Sequence, residues 1–254
     1  MTAPKVQLYT LDGGTVRVAG SDWADFADDG AYDGRVSELM LPVPCFLVRH
    51  PDGDLMWDSG MSPTRADLGA WATPGPALVG QLELVGVAPR DIRYLALSHG
   101  HWDHSGNAGI FAASTWIVHP DERTAMFDGQ SRAGQAMDDY ADLETAETLL
   151  ITENHDVFGD GSVVIIQAPG HTPGHTVLLL RLLDAGPILL SGDLWHMAES
   201  RRDRRVPIFN TNRTQTLASM DRVEALAAEA GARVIIQHEP ADIAMLPRFP
   251  ECVD

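Results

Sequence analysis

The segment Ser98-His99-Gly100-His101-Trp102-Asp103-His104 constrains this chain more than any other, because four metal-binding side chains fall within six residues. His99, His101 and Asp103 alternate along the chain, and His104 follows directly. An extended segment that turned into a helix here would aim two imidazoles at one metal ion and leave Asp103 and His104 for a second ion. Neutral imidazole and carboxylate are the ligands that zinc and similar divalent ions prefer. The segment therefore predicts a metal site, and the alternative is a polar loop that happens to be rich in histidine.

Length and charge narrow the class of protein. A chain of 254 residues with 44% hydrophobic and 21% charged residues is typical of a soluble globular enzyme. The net charge of -18 argues against nucleic acid as a partner, since proteins that bind phosphates carry a basic stripe. No apolar run approaches the ~20 residues that span a bilayer, and the N-terminus lacks the layout of a secretory signal. We therefore expect a cytoplasmic protein with no membrane span.

Turn signals and short apolar runs alternate along the chain and predict strands. These strands cover 6–11, 45–48, 54–57, 93–98, 115–118, 163–167, 176–182, 188–190 and 233–237. Helices are predicted from Ser105 to Phe111 and from Thr214 to Ala230, where Gly231 ends the second helix. Because each strand-rich half is followed by helices, we expect one domain over 1–254 with two sheets packed face to face, of the α/β or α+β class.

A helical insertion is predicted from Pro120 to about Leu150. Pro120 suits a first helical turn, and Asp121 and Glu122 complement the positive end of the helix dipole. Four large apolar side chains stand out in this acidic stretch, namely Met126, Phe127, Met137 and Tyr140. They either pack onto the domain or line an apolar channel over the metal site, where they would contact the substrate.

Three further metal-binding side chains follow predicted strands. His171 comes after the apolar run that ends at Ala168, Asp193 after the run that ends at Leu190, and His238 after 234–237. Strands of one sandwich can bring such ends to a common edge. We therefore expect these side chains to meet the first cluster.

The combined pattern of His-x-His-x-Asp-His, a later Pro-Gly-His, an Asp after an apolar strand and a final His resembles the metallo-β-lactamase superfamily. The resemblance implies a four-layer αββα sandwich with two divalent metal ions, Zn²⁺ or otherwise Co²⁺, Mn²⁺ or Fe²⁺. It also implies the ligands. His99, His101 and His171 would hold the first metal, Asp103, His104 and His238 the second, and Asp193 would bridge both.

Within that superfamily the chain is most similar to N-acyl-homoserine lactonases. The resemblance rests on 41–47, on Trp57-Asp58-Ser59-Gly60-Met61, on the double Pro-Gly-His over 169–175 and on Phe249-Pro250-Glu251. It implies a quorum-quenching hydrolase in which a metal-bridging hydroxide opens the ring of a small acyl lactone. A homodimer is a possible assembly of such a chain. Asp103 would pass a proton to the leaving oxygen. Asp58 and His175 would support the metal ligands from outside.

One position departs from the lactonase pattern. These enzymes commonly carry a tyrosine three residues after the bridging Asp, where it hydrogen-bonds the substrate, and this chain has His196 there. Histidine can donate a similar hydrogen bond, so His196 is expected to contact the substrate. The alternative is a role at the surface or in supporting the metal ligands.

Other functions remain open on the sequence alone. The same fold serves hydrolases of other small lactones, of thioesters as in glyoxalase II, and of β-lactams. Only 16 residues follow His238, too few for the helical substrate domain of glyoxalase II. A different class of protein would be a non-hydrolytic metal-binding protein or a diiron redox protein. Diiron reductases of this fold usually have Glu where His101 stands.

Overall fold

A computed structural model describes residues 4–20, 22–27, 38–64, 69, 71–127 and 137–254. The strands are β1 (Gln7–Ala19), β2 (Glu38–His50), β3 (Gly53–Trp57), β4 (Ala72–Pro74), β5 (Ile92–Ala96), β6 (Thr115–Val118), β7 (Thr148–Leu150), β8 (His155–Asp156), β9 (Val163–Gln167), β10 (Thr176–Leu182), β11 (Gly186–Leu190), β12 (Arg233–Ile235) and β13 (Cys252–Val253). The α-helices are α1 (Leu78–Leu84), α2 (Trp102–Ser105), α3 (Pro120–Phe127), α4 (Ala198–Asp203), α5 (Arg213–Ala230) and α6 (Pro240–Ile243). Short 3-10 segments cover Asp22–Phe26, Pro89–Asp91, Ala108–Phe111, Met137–Asp139, Ala141–Glu144 and Gly192–Leu194.

These strands form two mixed sheets. Within the described ranges, the first sheet has the order β13-β1-β2-β3-β5-β6-β7, with β4 paired to β1, and the second has the order β12-β11-β10-β9-β8. In the first sheet β3, β5, β6 and β7 run parallel, whereas β1, β2 and β3 are antiparallel. No helix among the described residues is both long and apolar enough to cross a membrane.

The buried side chains define four layers. Phe46 and Trp57 of the first sheet share one apolar cluster with Leu178 and Leu190 of the second, so the two sheets pack face to face. The outer face of the first sheet packs against α1 and α3, and the outer face of the second sheet packs against α5. The αββα sandwich expected from the sequence is therefore confirmed.

Strand direction brings the ligand-bearing loops together. β9 and β11 each pair antiparallel with β10, and β12 pairs parallel with β11. The carboxyl ends of β9, β11 and β12 therefore lie at one edge of the second sheet. The carboxyl end of β5 meets this edge from the first sheet, because the Thr176 amide donates to the Ser98 carbonyl at 2.8 Å.

The structure differs from the sequence prediction at several places. The helix predicted from Ser105 to Phe111 is not formed as such, since α2 already ends at Ser105 and a short 3-10 segment over Ala108–Phe111 follows. The strand predicted over 6–11 was expected to end at a turn signal, Asp12-Gly13-Gly14, but β1 continues through these residues at a bulge, where the register with β2 shifts between Asp12 and Thr15. The helical insertion over 120–150 is only partly helical, since α3 ends at Phe127 and the strand β7 begins at Thr148. Residues 128–136 of that prediction lie outside the described residues.

Candidate metal centre

The first cluster lies where β5 gives way to α2. His99 and His101 occupy the loop after the strand, and His101 has an extended backbone (φ -65°, ψ 154°) immediately before α2 begins. Asp103 and His104 sit in the first turn of α2. The chain thus changes from extended to helical within the motif, as the alternating spacing of His99, His101 and Asp103 predicts.

Two groups of metal-binding atoms form at the shared edge, and the members of each group lie within 4.8 Å of one another. The first group is His99, His101, His171 and Asp193, and the second is Asp103, His104 and His238. All seven sequence-predicted ligands are therefore brought together. Every one except His101 is buried.

The spacing of the first group fits a metal ion. His101 Nδ1 lies 2.8 Å from His99 Nε2 and 3.0 Å from His171 Nε2. Ligand nitrogens about 2.0–2.1 Å from a tetrahedral Zn²⁺ stand about 3.3 Å apart, close to these separations. Three imidazole nitrogens that face one another bring their lone pairs together, and a shared cation relieves that repulsion. The donor set therefore fits the metal that the fold implies.

Asp193 divides its carboxylate between the two groups. Its Oδ2 lies 3.3 Å from His171 Nε2 and 3.5 Å from His99 Nε2. Its Oδ1 lies 3.0 Å from His238 Nε2 and 3.2 Å from His104 Nε2. Oδ1 is buried and accepts no hydrogen bond from any described residue. One carboxylate oxygen is thus directed at each group, as a bridging ligand requires.

The pKa values of the first group favour neutral imidazoles. Desolvation lowers the pKa of His99 well below its ordinary value, that of His101 to about 3 and that of His171 to about 4. Neutral rings keep the lone pair that a metal needs. At neutral pH these three rings are therefore ready to coordinate a cation.

The second group attracts positive charge. Burial alone would lower the pKa of His104, but the carboxylates of Asp193, Asp103 and Asp58 raise it well above its ordinary value. The pKa of His238 is likewise raised by Asp193 and Asp103 against the effect of burial. Burial would raise the pKa of Asp193, but the surrounding histidines lower it well below its usual range. The carboxylates thus create a site for a cation between these rings.

Asp58 supports the second group by a hydrogen bond to the ring nitrogen of His104 that faces away from the metal position. It is fully buried, and its backbone has φ 56°, a left-handed conformation that Asp tolerates better than most residues. Its carboxylate accepts from the Ser98 amide at 2.6 Å, from Gln237 Nε2 at 2.9 Å and from His104 Nδ1 at 2.9 Å. The bond from His104 Nδ1 leaves Nε2 of that ring directed at the metal position.

His175 holds the bridging carboxylate in place through the backbone. Its Nδ1 donates to the Ala168 carbonyl at 3.1 Å, and its Nε2 accepts from the Asp193 amide at 3.0 Å. Burial lowers the pKa of His175 to about 3, which suits this neutral tautomer. Gly192, at φ +49°, permits the approach, because a Cβ there would stand 2.7 Å from His175 Nε2. His175 thus fixes the loop that presents Asp193, whereas Asp58 fixes an imidazole.

Sequence reasoning missed two residues that support the site. Gln237 Oε1 accepts from the Gly192 amide at 2.9 Å and from Trp57 Nε1 at 3.2 Å, while its Nε2 donates to Asp58. The only signal for it was its place directly before His238. Glu122, taken as a helix N-terminal charge, is buried and accepts from the Gly100 amide.

A cavity of about 500 Å³ opens over the metal-binding atoms. Asp103, His196 and His238 line its polar side. Four aromatic side chains also line it, namely Phe26, Trp71, Trp102 and Phe209, together with Val16, Val18 and the charged Arg17 and Asp25. His196 Nε2 lies 3.1 Å from Asp193 Oδ2, and its ring meets Phe209 edge to face. The structure thus places His196 in the cavity beside the metal-binding atoms and not at the surface, and its contact with a substrate stays a prediction.

The predicted substrate contacts in the insertion lie elsewhere. Met126 and Tyr140 are fully buried in the cluster on the outer face of the first sheet, and Phe127 and Met137 pack against that cluster. Tyr140 donates its hydroxyl hydrogen bond to the Met126 carbonyl at 2.9 Å. None of the four lines the cavity among the described residues. Because α3 runs on the outside of the sandwich, its apolar side chains stabilise the core and not a channel.

Comparisons with known proteins agree with this geometry. The sequence model described as the metallo-beta-lactamase superfamily matches residues 40–238. The N-acyl homoserine lactonase AttM of Azorhizobium caulinodans is 28% identical over 252 residues, which cover 92% of this chain and 94% of that protein. The AttM lactonase of Agrobacterium fabrum is 29% identical over 264 residues, covering 97% and 98% of the two chains. The N-acyl homoserine lactonase of Bacillus cereus is 28% identical over 233 residues, covering 85% and 88%.

Solved structures share the fold. A quorum-quenching N-acyl homoserine lactone lactonase aligns with a TM-score of 0.83 at 23% identity, over 99% of each chain. An N-acyl homoserine lactone hydrolase with N-hexanoyl-L-homoserine at its catalytic metal centre aligns with a TM-score of 0.81 at 22% identity. That alignment covers 99% of this chain and 100% of the other.

Proposed function

Because the chain belongs to the metallo-β-lactamase superfamily, we propose that it is a dinuclear metal hydrolase that opens the ring of N-acyl homoserine lactones. The observation that carries this proposal is the Asp193 carboxylate, which faces both donor groups at the base of an aromatic cavity. Curated relatives that match nearly the whole chain are named N-acyl homoserine lactonases, which favours this substrate over thioesters and β-lactams.

The residues of the site would have different roles in ester hydrolysis. His99, His101 and His171 would hold one cation, Asp103, His104 and His238 the other, and Asp193 both. Two divalent cations bound there supply Lewis acidity, which polarises a carbonyl and lowers the pKa of bound water towards about 7. Asp103 borders the cavity and is placed to carry a proton to the leaving ring oxygen.

His196 is placed to bind the substrate. It lines the cavity, and its Nε2 lies within hydrogen-bond distance of the Asp193 carboxylate. A ring nitrogen at this position can donate to the carbonyl or to the developing ring alkoxide, in the place of the tyrosine that the related lactonases commonly carry. The aromatic walls contributed by Phe26, Trp71 and Phe209 suit an uncharged acyl chain.

Zinc is the metal we propose, because imidazole and carboxylate donors at tetrahedral spacing suit Zn²⁺, although the same ligands accept Co²⁺, Mn²⁺ or Fe²⁺. A single domain over 1–254, a homodimer and a cytoplasmic location stay predictions from the sequence.

A substrate panel tests the proposal. Metal-loaded protein is given N-hexanoyl homoserine lactone, a thioester and a β-lactam at equal concentration, and acid release is followed with a pH indicator. We expect turnover of the lactone to exceed that of the other two substrates. Faster turnover of the thioester or the β-lactam would overturn the substrate assignment but would leave the assignment as a metal-dependent hydrolase intact.

A further inference from the structure

The two halves of the metal centre are secured in different ways. In the second group each imidazole is held through its own ring, since His104 Nδ1 donates to Asp58 and His238 Nδ1 donates to the Pro42 carbonyl at 2.8 Å. In the first group the ring contacts are weaker. His171 Nδ1 is buried with no hydrogen-bond partner among the described residues, and His99 Nδ1 meets only the Ser98 hydroxyl, at 3.0 Å. Something other than ring contacts must therefore fix the first group.

Glu122 on α3 connects the two loops that carry the first group. Its Oε1 accepts from the Gly100 amide at 2.7 Å, between His99 and His101. Its Oε2 accepts from the Gly174 amide at 2.9 Å, three residues after His171. One carboxylate thus ties the loop after β5 to the loop after β9, with one oxygen bound to each.

The surroundings of Glu122 favour these two hydrogen bonds to the ligand loops. The side chain is only 2% exposed, so its carboxylate is shielded from water. Keeping a carboxylate in such a place is costly unless its hydrogen bonds are used. Gly174 permits the approach, because a Cβ there would stand 2.7 Å from the Glu122 backbone nitrogen. The arrangement is therefore built for contact between α3 and the ligand loop.

We propose that Glu122 is a positioning residue for the metal held by His99, His101 and His171, and that Asp58 independently secures the metal held by His104 and His238. The two metals are then retained separately, one through the backbone of its ligand loops and the other through its imidazole rings. The inference rests on the dinuclear centre of the proposed function and not on the lactone substrate.

Metal retention in four variants tests this proposal. Glu122→Ala, Asp58→Asn, the double variant and the control Asp121→Ala are loaded with Zn²⁺, and each is measured for zinc per chain and for zinc release to a chromogenic chelator. Asp121 is exposed on the same helix, so Asp121→Ala is the control that shows how much zinc is lost merely because a residue of α3 has been changed. Residues that hold a metal ligand from outside change metal affinity by about 10–100-fold. We expect Glu122→Ala to release one of the two equivalents faster by about that factor, with the other unchanged.

The double variant shows whether Glu122 and Asp58 secure different metals. If Glu122 and Asp58 act on different metals, both equivalents are weakened in the double variant. If one equivalent stays tight in the double variant, both residues act on the same metal and the proposal is overturned. Equal weakening of both equivalents in Glu122→Ala alone, or wild-type retention of both, would also overturn it.

Glu122→Gln keeps the test valid if the alanine variant does not fold. The amide retains one oxygen acceptor and turns its NH₂ towards the second backbone amide, so we expect an intermediate loss of the same equivalent. The absorption spectrum of the Co²⁺-loaded variants reports the geometry of the altered site. None of these readouts uses a substrate, so failure of the lactonase assignment would leave the result intact.

Discussion

Replacing Asp58 by Asn separates the hydrogen-bonding role of this residue from its backbone conformation. Asn also tolerates φ 56°, so Asp58→Asn keeps the turn, but it removes the charge and turns an NH₂ group towards either His104 Nδ1 or the Ser98 amide. A hydrogen bond to a charged group contributes about 1.5–3 kcal/mol, and 1.4 kcal/mol is about tenfold in an equilibrium constant. We therefore expect zinc affinity at the His104 site to fall roughly 10–100-fold.

The assay is competition for zinc with a chromogenic chelator at neutral pH, with Asp58→Ala as the matched variant. Both variants lose hydrogen bonds to the Asp58 carboxylate, but alanine in the left-handed conformation costs a further ~1–2 kcal/mol, so the alanine variant should lower the thermal unfolding temperature of the metal-free protein more than the asparagine variant does. Wild-type zinc affinity in Asp58→Asn would refute the argument that the Asp58 carboxylate orients His104. An equal loss of metal-free stability in both variants would refute the separation of the two roles.

Further predictions concern the bridge, the substrate contacts and the cysteines. Asp193→Ala should lose both metal and turnover, since its two oxygens face both donor groups; zinc analysis would contradict this if two equivalents remained. His196→Ala should lower turnover roughly 100-fold with metal content intact, and equal metal loss in the two variants would refute the division of roles. Phe209→Ala should raise KM for N-decanoyl homoserine lactone roughly 3–10-fold more than for the N-hexanoyl lactone, because it removes part of an apolar wall; an equal change in both would count against an acyl-chain contact. Burial raises the pKa of the Cys45 thiol, so iodoacetamide should label Cys252 and leave Cys45 unmodified in the folded protein, as mass spectrometry would show; rapid labelling of Cys45 would contradict its burial.

The metal ligands could be predicted because each carries a local signal. His99 to His104 form a dense motif, and His171, Asp193 and His238 each follow an apolar run. Strand ends at one edge of a sandwich were then enough to bring them together. What spacing could not show is which oxygen of Asp193 faces which group, since that depends on the positions of four separate loops.

The supporting residues could not be predicted in the same way. Glu122 and Gly174 are 52 positions apart, and their hydrogen bond forms only after α3 has packed on the outer face of the first sheet. At the level of sequence Glu122 is indistinguishable from any acidic residue in a first helical turn. The sequence left open whether Met126 packs onto the domain or lines a channel, because an apolar side chain on a helix shows that one face is buried but not what covers it; the structure shows the packing.

Turnover measured against bound zinc tests the central claim most directly. Metal-free protein is titrated with Zn²⁺, and hydrolysis of N-hexanoyl homoserine lactone is measured at each addition, with Asp193→Ala as the blank. The account predicts that turnover increases until two equivalents are bound per chain and is abolished in the variant. Protein that binds two equivalents of zinc and does not open the lactone ring would contradict it.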